Sequence, residues 1–370
     1  MKIVFTGGHH NSALVVARML KKRGHQLFWL GHKKTMKKEK SISAEYLEVK
    51  KHGIPFFELQ AGKFSQVFNP WQILKIIRGF FQAFKLLCQL KPDLIVSFGG
   101  YLSVPVVYSG FLLNVPSISH EQTSQAGLAN RINSLITKRV FITWPSSKKY
   151  FPKQKTKLIG LPVREEFLKK KKKASQDYRF NKNLPVIFVI GGKQGCHFLN
   201  CLIEEVLEEL LEKYNLVHQT GRIEKTNDWP RLRKKRAALS EELKKRYLLK
   251  PYFYNQDMTF LLSKADLAVS RAGAHIIYEL AMLGKPAILI PFPWANKQEQ
   301  LKNAQLLQKW RMVKILRQKR TSSRLLKQTI NDCLNNLDQL RKNAAQAKKK
   351  VKKQAAQKMV AFIEKKAPDF

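Results

Sequence analysis

The chain has 370 residues, 44% of them hydrophobic, which is more than one ordinary core needs and suits two domains. Its 69 Lys and Arg against 26 Asp and Glu leave a formal charge of +43; this favours anionic partners, nucleic acid or an acidic membrane surface, unless it reflects a lysine bias of the source proteome. The four cysteines show neither a CxxC pair nor a metal spacing, the first segment is strand-like rather than a secretory leader, and no apolar run reaches roughly 20 residues, so a reduced cytosolic chain with at most peripheral membrane contact is expected.

The first stretch, "KIVFTGGHHNSALVVARML", reads as a short apolar strand, a turn of Gly7, Gly8, His9 and His10, and a helix near 13–23. "HQLFWLG" follows as a strand. "NPWQILKIIRGFFQAFKLLCQLKP" predicts a helix with too many apolar positions for one narrow stripe, Ile73, Ile77, Phe81 and Phe84 among them, and with Lys75, Arg78 and Lys85 interspersed. Such a helix is either fully buried or has a second face able to touch lipid headgroups. "DLIVSFGG", "PSISHEQ" and "KRVFITW" complete a first series of strands alternating with helices, the pattern of βαβ units and a parallel sheet. "KLIGLPVREEFLKKKKKASQDYRFNKNLP" is charged, contains two prolines and reads as a connector with one short helix. The pattern then restarts with "VIFVIGG", "NLVHQTG", "YLLKPYFY", "ADLAVSRAG" and "PAILIPFP". From about 335 the Lys-, Gln- and Ala-rich sequence predicts helix to about Lys366. The expected domains are 1–160, 161–340 and a basic C-terminal helix, 341–370, that returns to the first.

Glycines follow the predicted strands: Gly7-Gly8, Gly99-Gly100, Gly191-Gly192, Gly221 and Gly273. Ligands of open parallel sheets sit beyond the carboxyl ends of the strands, where these glycines fall. In "VIFVIGGKQGCHFLN" a helix is expected to start near Gln194, so that the loop and the free N–H groups of the helix could hold a phosphate; the alternative is a plain strand–helix turn. In "DLAVSRAGAHIIYELAMLGKP" a loop precedes a helix over 274–283, stopped by Gly284, and Glu279 is either solvated or turned to ribose hydroxyls. His120, Glu121, Gln122 and Asn130 follow an apolar strand and either knit the domain or face a ligand.

Taken in order, "TGGH", "SFGGYLSVPVV", "HEQTSQAGLANR", "GLPVR", "GGKQG", "HQTG", "ADLAVSRAGAHIIYELAMLGKPAILIPFP" and "QLKNA" resemble the MurG family over nearly the whole chain. The resemblance implies an α/β GT-B fold, two Rossmann-like domains with parallel sheets facing a central cleft. It implies transfer of N-acetylglucosamine from UDP-N-acetylglucosamine to lipid I, a polyprenyl-diphosphate-linked muramyl acceptor. The reaction would be inverting, with no metal and no cofactor, at the cytoplasmic face of an anionic membrane and without nucleic acid. By match, His9 is the base, which suits an imidazole; from the residues alone it reads sooner as a structural cap of the first helix. Gly7, Gly8, Tyr101, Glu121 and Asn130 match acceptor positions. Arg164, Lys193, Gln194, Gly195, Asn255, Glu279 and Gln300 match donor positions. Departures from the family pattern are Phe5 for a glycine, Ser12 for a proline, Thr123 for an asparagine, Lys193 for a serine and Glu299 for a histidine. The rival readings are another GT-B transferase with a different sugar or lipid acceptor, and a nucleic-acid binder. The latter is motivated only by charge and lacks a zinc-finger, RRM or helix-turn-helix pattern.

Overall fold

A computed structural model describes the chain apart from residues 37–38, 63–69, 170–173, 222–225 and 367–370. Residues 170–173 include most of the connector's lysine run. The chain forms two compact units, Met1–Arg164 with Lys352–Phe370, and Glu165–Val351. Residues 341–351 therefore belong to the second unit and not to the tail: Leu340, Ala344 and Ala347 on the helix Leu337–Lys350 are buried, and that helix packs on Ala274–Leu283.

The first unit holds β1 (Lys2–Thr6), β2 (Gln26–Gly31), a small hairpin of β3 (Lys34–Met36) and β4 (Glu39–Ile42), then β5 (Phe56–Glu58), β6 (Leu94–Ser97), β7 (Ser117–Glu121), β8 (Arg139–Ile142) and β9 (Thr156–Leu158). Seven of these make one parallel sheet in the order β5-β2-β1-β6-β7-β8-β9, with Val4 opposite Phe28 on one side and Ile95 on the other. Its central strands are covered on both faces, which is why they read as continuous apolar runs. Phe5 and Trp29 on one face pack with the helices His10–Lys22 and Ala355–Lys366; Val4, Leu30 and Ile95 on the other pack with Pro70–Leu90 and Ser103–Leu112. The C-terminal helix reaches this sheet after a break at Gln354, whose φ is 62°.

The helix Pro70–Leu90 has two distinct faces. Gly79, Ala83 and Leu87 are turned inward and buried. Trp71 (72% exposed), Leu74, Ile77 and Phe81 (73% exposed) lie outward, with Arg78 and Lys85 exposed among them. A fully buried helix is thereby excluded.

The second unit holds β10 (Val186–Ile190), β11 (Asn215–Gln219), β12 (Tyr247–Lys250), β13 (Leu267–Ser270), β14 (Ala287–Leu289) and β15 (Val313–Ile315). They form a six-stranded parallel sheet in the order β12-β11-β10-β13-β14-β15. In both units the chain starts mid-sheet, winds to one edge and then to the other, so the carboxyl ends of the two central strands share one rim.

Candidate functional site

In the first unit the rim is built from two interlocked glycine turns. Gly7 follows β1 with φ 126°, and a Cβ there would stand 2.6 Å from the Gly99 carbonyl oxygen. Gly8 N donates to that same oxygen at 3.0 Å. Gly7 is thus fixed by the neighbouring turn after β6 and not by room for a substrate; Gly8 is exposed.

His9 stands at the N-cap of the first helix, yet its side chain makes no capping bond. Its Nδ1 lies 2.7 Å from the Gln122 amide nitrogen. Burial lowers the His9 pKa, and the Glu121 carboxylate opposes that shift. Glu121 itself is 1% exposed and saturated: Oε1 accepts from Thr123 N at 2.9 Å and the Thr123 hydroxyl at 2.7 Å, and Oε2 from Gly127 N at 2.9 Å and Asn130 Nδ2 at 3.0 Å. Asn130, 2% exposed, also donates to the His120 carbonyl at 3.1 Å. Glu121 and Asn130 therefore tie the loop after β7 from within. The structure supports the knitting alternative over direct contact with an acceptor, and Thr123, where the family has asparagine, is part of the knot. Tyr101 is half-buried with its ring 5.7 Å from that of His32, and burial raises its phenol pKa. Arg164 closes the first unit, half-buried.

In the second unit a cavity of about 530 Å³ opens at the ends of β10 and β13, lined by Lys193, Gln194, Gly195, His197, Arg271 and Gln300 among others. The helix starts at His197 and not near Gln194, because Gly192 and Gly195 are held at φ 93° and 95° and Cys196 is the cap, its Sγ accepting from Leu199 N at 3.4 Å. Lys193 and Gln194 are exposed in the loop ahead of the helix. A Cβ on Gly195 would sit 2.1 Å from the Thr220 carbonyl oxygen, so this loop interlocks with the turn after β11 as the glycine turns do in the first unit. Gln300 Oε1 accepts from Ala272 N at 3.2 Å and Phe292 N at 3.0 Å, joining the loops after β13 and β14. Asn255 opens the helix Asn255–Lys264. Glu279 is 6% exposed, which excludes the solvated reading, but it does not line the cavity.

Two residues escape the sequence reading, and a third, Gln122, is named there only as knitting the domain or facing a ligand. Arg271 lines the cavity, donates from Nη1 to the Ile290 carbonyl at 3.0 Å and lies 5.5 Å over the Phe292 ring. Gln219, 1% exposed, donates from Nε2 to the Gly192 carbonyl at 2.9 Å and accepts from Phe253 N at 2.9 Å. Gln122 holds His9. Each is a polar residue at the end of an apolar strand, a signal that the sequence does contain.

Among the described residues one group could hold a metal: His197, Cys201 and Asp228, with ligand atoms within 4.8 Å of one another. Arg231 already supplies a cation there, with Nη2 2.9 Å from Asp228 Oδ1 and 3.5 Å from Cys201 Sγ, and His197 Nδ1 lies 2.7 Å from the same Oδ1. Asp228 Oδ2 also accepts from Asn200 Nδ2 at 2.9 Å, and Asn200 donates to the Thr220 carbonyl at 2.9 Å. The cluster is an ion-pair network that ties the start of the helix Asp228–Ala238, through Asn200, to Thr220 just after β11.

The N-terminal domain of glycosyltransferase family 28 matches residues 4–142 and its C-terminal domain matches 186–359. UDP-N-acetylglucosamine–N-acetylmuramyl-(pentapeptide) pyrophosphoryl-undecaprenol N-acetylglucosamine transferases are similar along almost the whole length. The one from Clostridium tetani is 32% identical over 92% of both chains, and that from Clostridium perfringens SM101 is 32% identical over 90% of this chain and 89% of its own. The crystal structure of Acinetobacter baumannii MurG superimposes with a TM-score of 0.73 at 27% identity, covering 98% of this chain and 99% of that one. The chain belongs to the MurG family of glycosyltransferase family 28. Its two Rossmann-like units are the GT-B architecture of that family, and the cavity lies within the segment matched by the family's C-terminal domain.

Proposed function

We propose that the chain transfers N-acetylglucosamine from UDP-N-acetylglucosamine to muramyl-(pentapeptide) pyrophosphoryl-undecaprenol, converting lipid I to lipid II in bacterial cell-wall synthesis. The observation that carries the donor half is the cavity bounded by the Gly191–Gly195 loop, the start of the helix His197–Glu205 and Gln300. Backbone N–H groups at such a helix start receive a diphosphate, and Lys193 stands beside them as a cation. Arg164, Asn255 and Glu279 join the donor site on the strength of the family match, and Gly8 and Tyr101 join the acceptor site likewise.

The acceptor hydroxyl attacks the anomeric carbon, the carbon–oxygen bond to UDP breaks with inversion, and the hydroxyl proton passes to His9. No metal or cofactor is part of this scheme; the developing charge on UDP is met by the loop N–H groups and by Lys193. Among the described residues no helix is long and apolar enough to cross a membrane. The outward face of the helix Pro70–Leu90, where Trp71, Leu74, Ile77 and Phe81 are exposed together with Arg78 and Lys85, suits docking on an anionic leaflet at the cytoplasmic side.

The test is UDP release from UDP-N-acetylglucosamine with the undecaprenyl-linked muramyl-pentapeptide present and absent. Release that needs both substrates supports the reading. No release, together with retardation of random-sequence DNA at physiological salt, would replace it with the nucleic-acid reading.

A further inference from the structure

Gln122 directly follows β7, is 6% exposed, and places its amide 2.7 Å from His9 Nδ1. A neutral imidazole carries one N–H, so the group at Nδ1 decides which nitrogen keeps a lone pair. The two ends of a carboxamide have the same shape and opposite hydrogen-bonding character. With the nitrogen end on Nδ1, the ring hydrogen lies on Nε2 and His9 can only donate outward. With the oxygen end on Nδ1–H, Nε2 keeps its lone pair. Bond satisfaction within the protein does not choose between them, because the nitrogen-facing orientation leaves Gln122 Oε1 buried without a donor and the other leaves the amide nitrogen in that same place. Proton transfer does choose, since only one orientation leaves a base.

We propose that Gln122 is the positioning residue of His9: its amide oxygen accepts the Nδ1–H bond and makes Nε2 the atom that takes the acceptor's proton. The inference rests on His9 being the base. The proton leaves the acceptor oxygen as that oxygen bonds to the sugar, and arrives at Nε2; the imidazolium keeps Nδ1–H on the Gln122 oxygen. The titratable groups facing His9 are Glu121 and His120, both from β7. Glu121 favours the imidazolium by its charge, but its oxygens are held by Thr123, Gly127 and Asn130, so it does not compete for Nδ1. A neutral partner at Nδ1 keeps the resting ring unprotonated at neutral pH, where a carboxylate would hold the proton on it.

The direct test is two-bond ¹H–¹⁵N correlation on the full chain labelled with [¹⁵N]histidine, with the His9 signals identified by their loss in His9→Ala. Hydrogen on Nδ1 with Nε2 bare is the expected pattern; hydrogen on Nε2 overturns the proposal. In kinetics, Gln122→Met should lower kcat on the order of 10-fold or more, with the donor KM little changed. Gln122→Glu, which can only accept at Nδ1, should retain more turnover than Gln122→Met and move the acid limb of kcat/KM up by about one pH unit. Equal losses in both variants with an unmoved pH profile would overturn the role. The two readings fail separately: near-native turnover of His9→Ala removes the base, whereas an inactive His9→Ala with hydrogen on Nε2 of the wild type removes only Gln122.

Discussion

Replacing Gln219 by leucine removes two hydrogen bonds from beneath the donor loop at nearly constant volume. Gln219 is 1% exposed, and its amide spans from the Gly192 carbonyl to Phe253 N, each at 2.9 Å. Phe253 is itself 1% exposed, so its N–H would be left buried without an acceptor, at a cost of about 1–3 kcal/mol. Gly192 is exposed and its carbonyl would turn to water, so that side loses about 0.5–1.5 kcal/mol. Together these predict a loss of about 1.5–4.5 kcal/mol, or roughly 5–15 °C in the melting temperature of the second unit. The loop over Gly191–Gly195 would lose its tie to β11, so UDP affinity measured by calorimetry should fall as well. Gln219→Glu as the neutral acid keeps the acceptor for Phe253 and can donate to Gly192, whereas its ionised form sets a buried charge against that carbonyl, so its melting temperature should fall as pH rises. Unchanged melting and unchanged UDP affinity in Gln219→Leu would refute the reasoning.

His9→Ala should lower turnover by roughly 10²-fold or more with little change in UDP binding, and near-native turnover would eliminate the base. Lys193 lines the cavity with an ammonium where the family has a hydroxyl, so UDP affinity of the wild type should fall more steeply with salt than that of Lys193→Ser; parallel slopes would mean that the lysine does not reach the phosphates. His120 and His218 are fully buried, and burial lowers their pKa values from 6.5 to about 4 and about 3. Both stay neutral in the fold and protonate on unfolding, so stability should be intact above pH 6.5 and fall below it by about 1.4 kcal/mol per pH unit for each; urea unfolding at pH 7, 6 and 5 with equal midpoints would contradict this.

The central strands were legible because burial on both faces leaves runs such as "VIFVI" and "LIVS" with no polar position. The strands Phe56–Glu58, Thr156–Leu158 and Val313–Ile315 were not, since three residues at or near a sheet edge carry no period. The sequence predicts a helix start near Gln194, three residues before the actual start at His197, because the positive φ of Gly195 keeps the loop out of the helix. Stretches matched to the family gave the cavity loop and Gln300. What the match did not give was the partner of each side chain. Glu121 reads as a site residue until Thr123, Gly127 and Asn130 are seen to saturate it, and His9 reads as a cap until its ring is found on Gln122, 113 positions away. Arg271 carried a signal of its own, a charged residue directly after an apolar strand and inside a glycine-containing turn.

A crystal soaked with UDP-N-acetylglucosamine tests the assignment of donor and site together. The diphosphate is expected within hydrogen-bond distance of the loop over Gly191–Gly195 and the start of the helix His197–Glu205, with Lys193 at its oxygens and Gln300 beside the sugar. Nucleotide bound elsewhere on the chain, or an unfilled cavity at saturating donor, would contradict it.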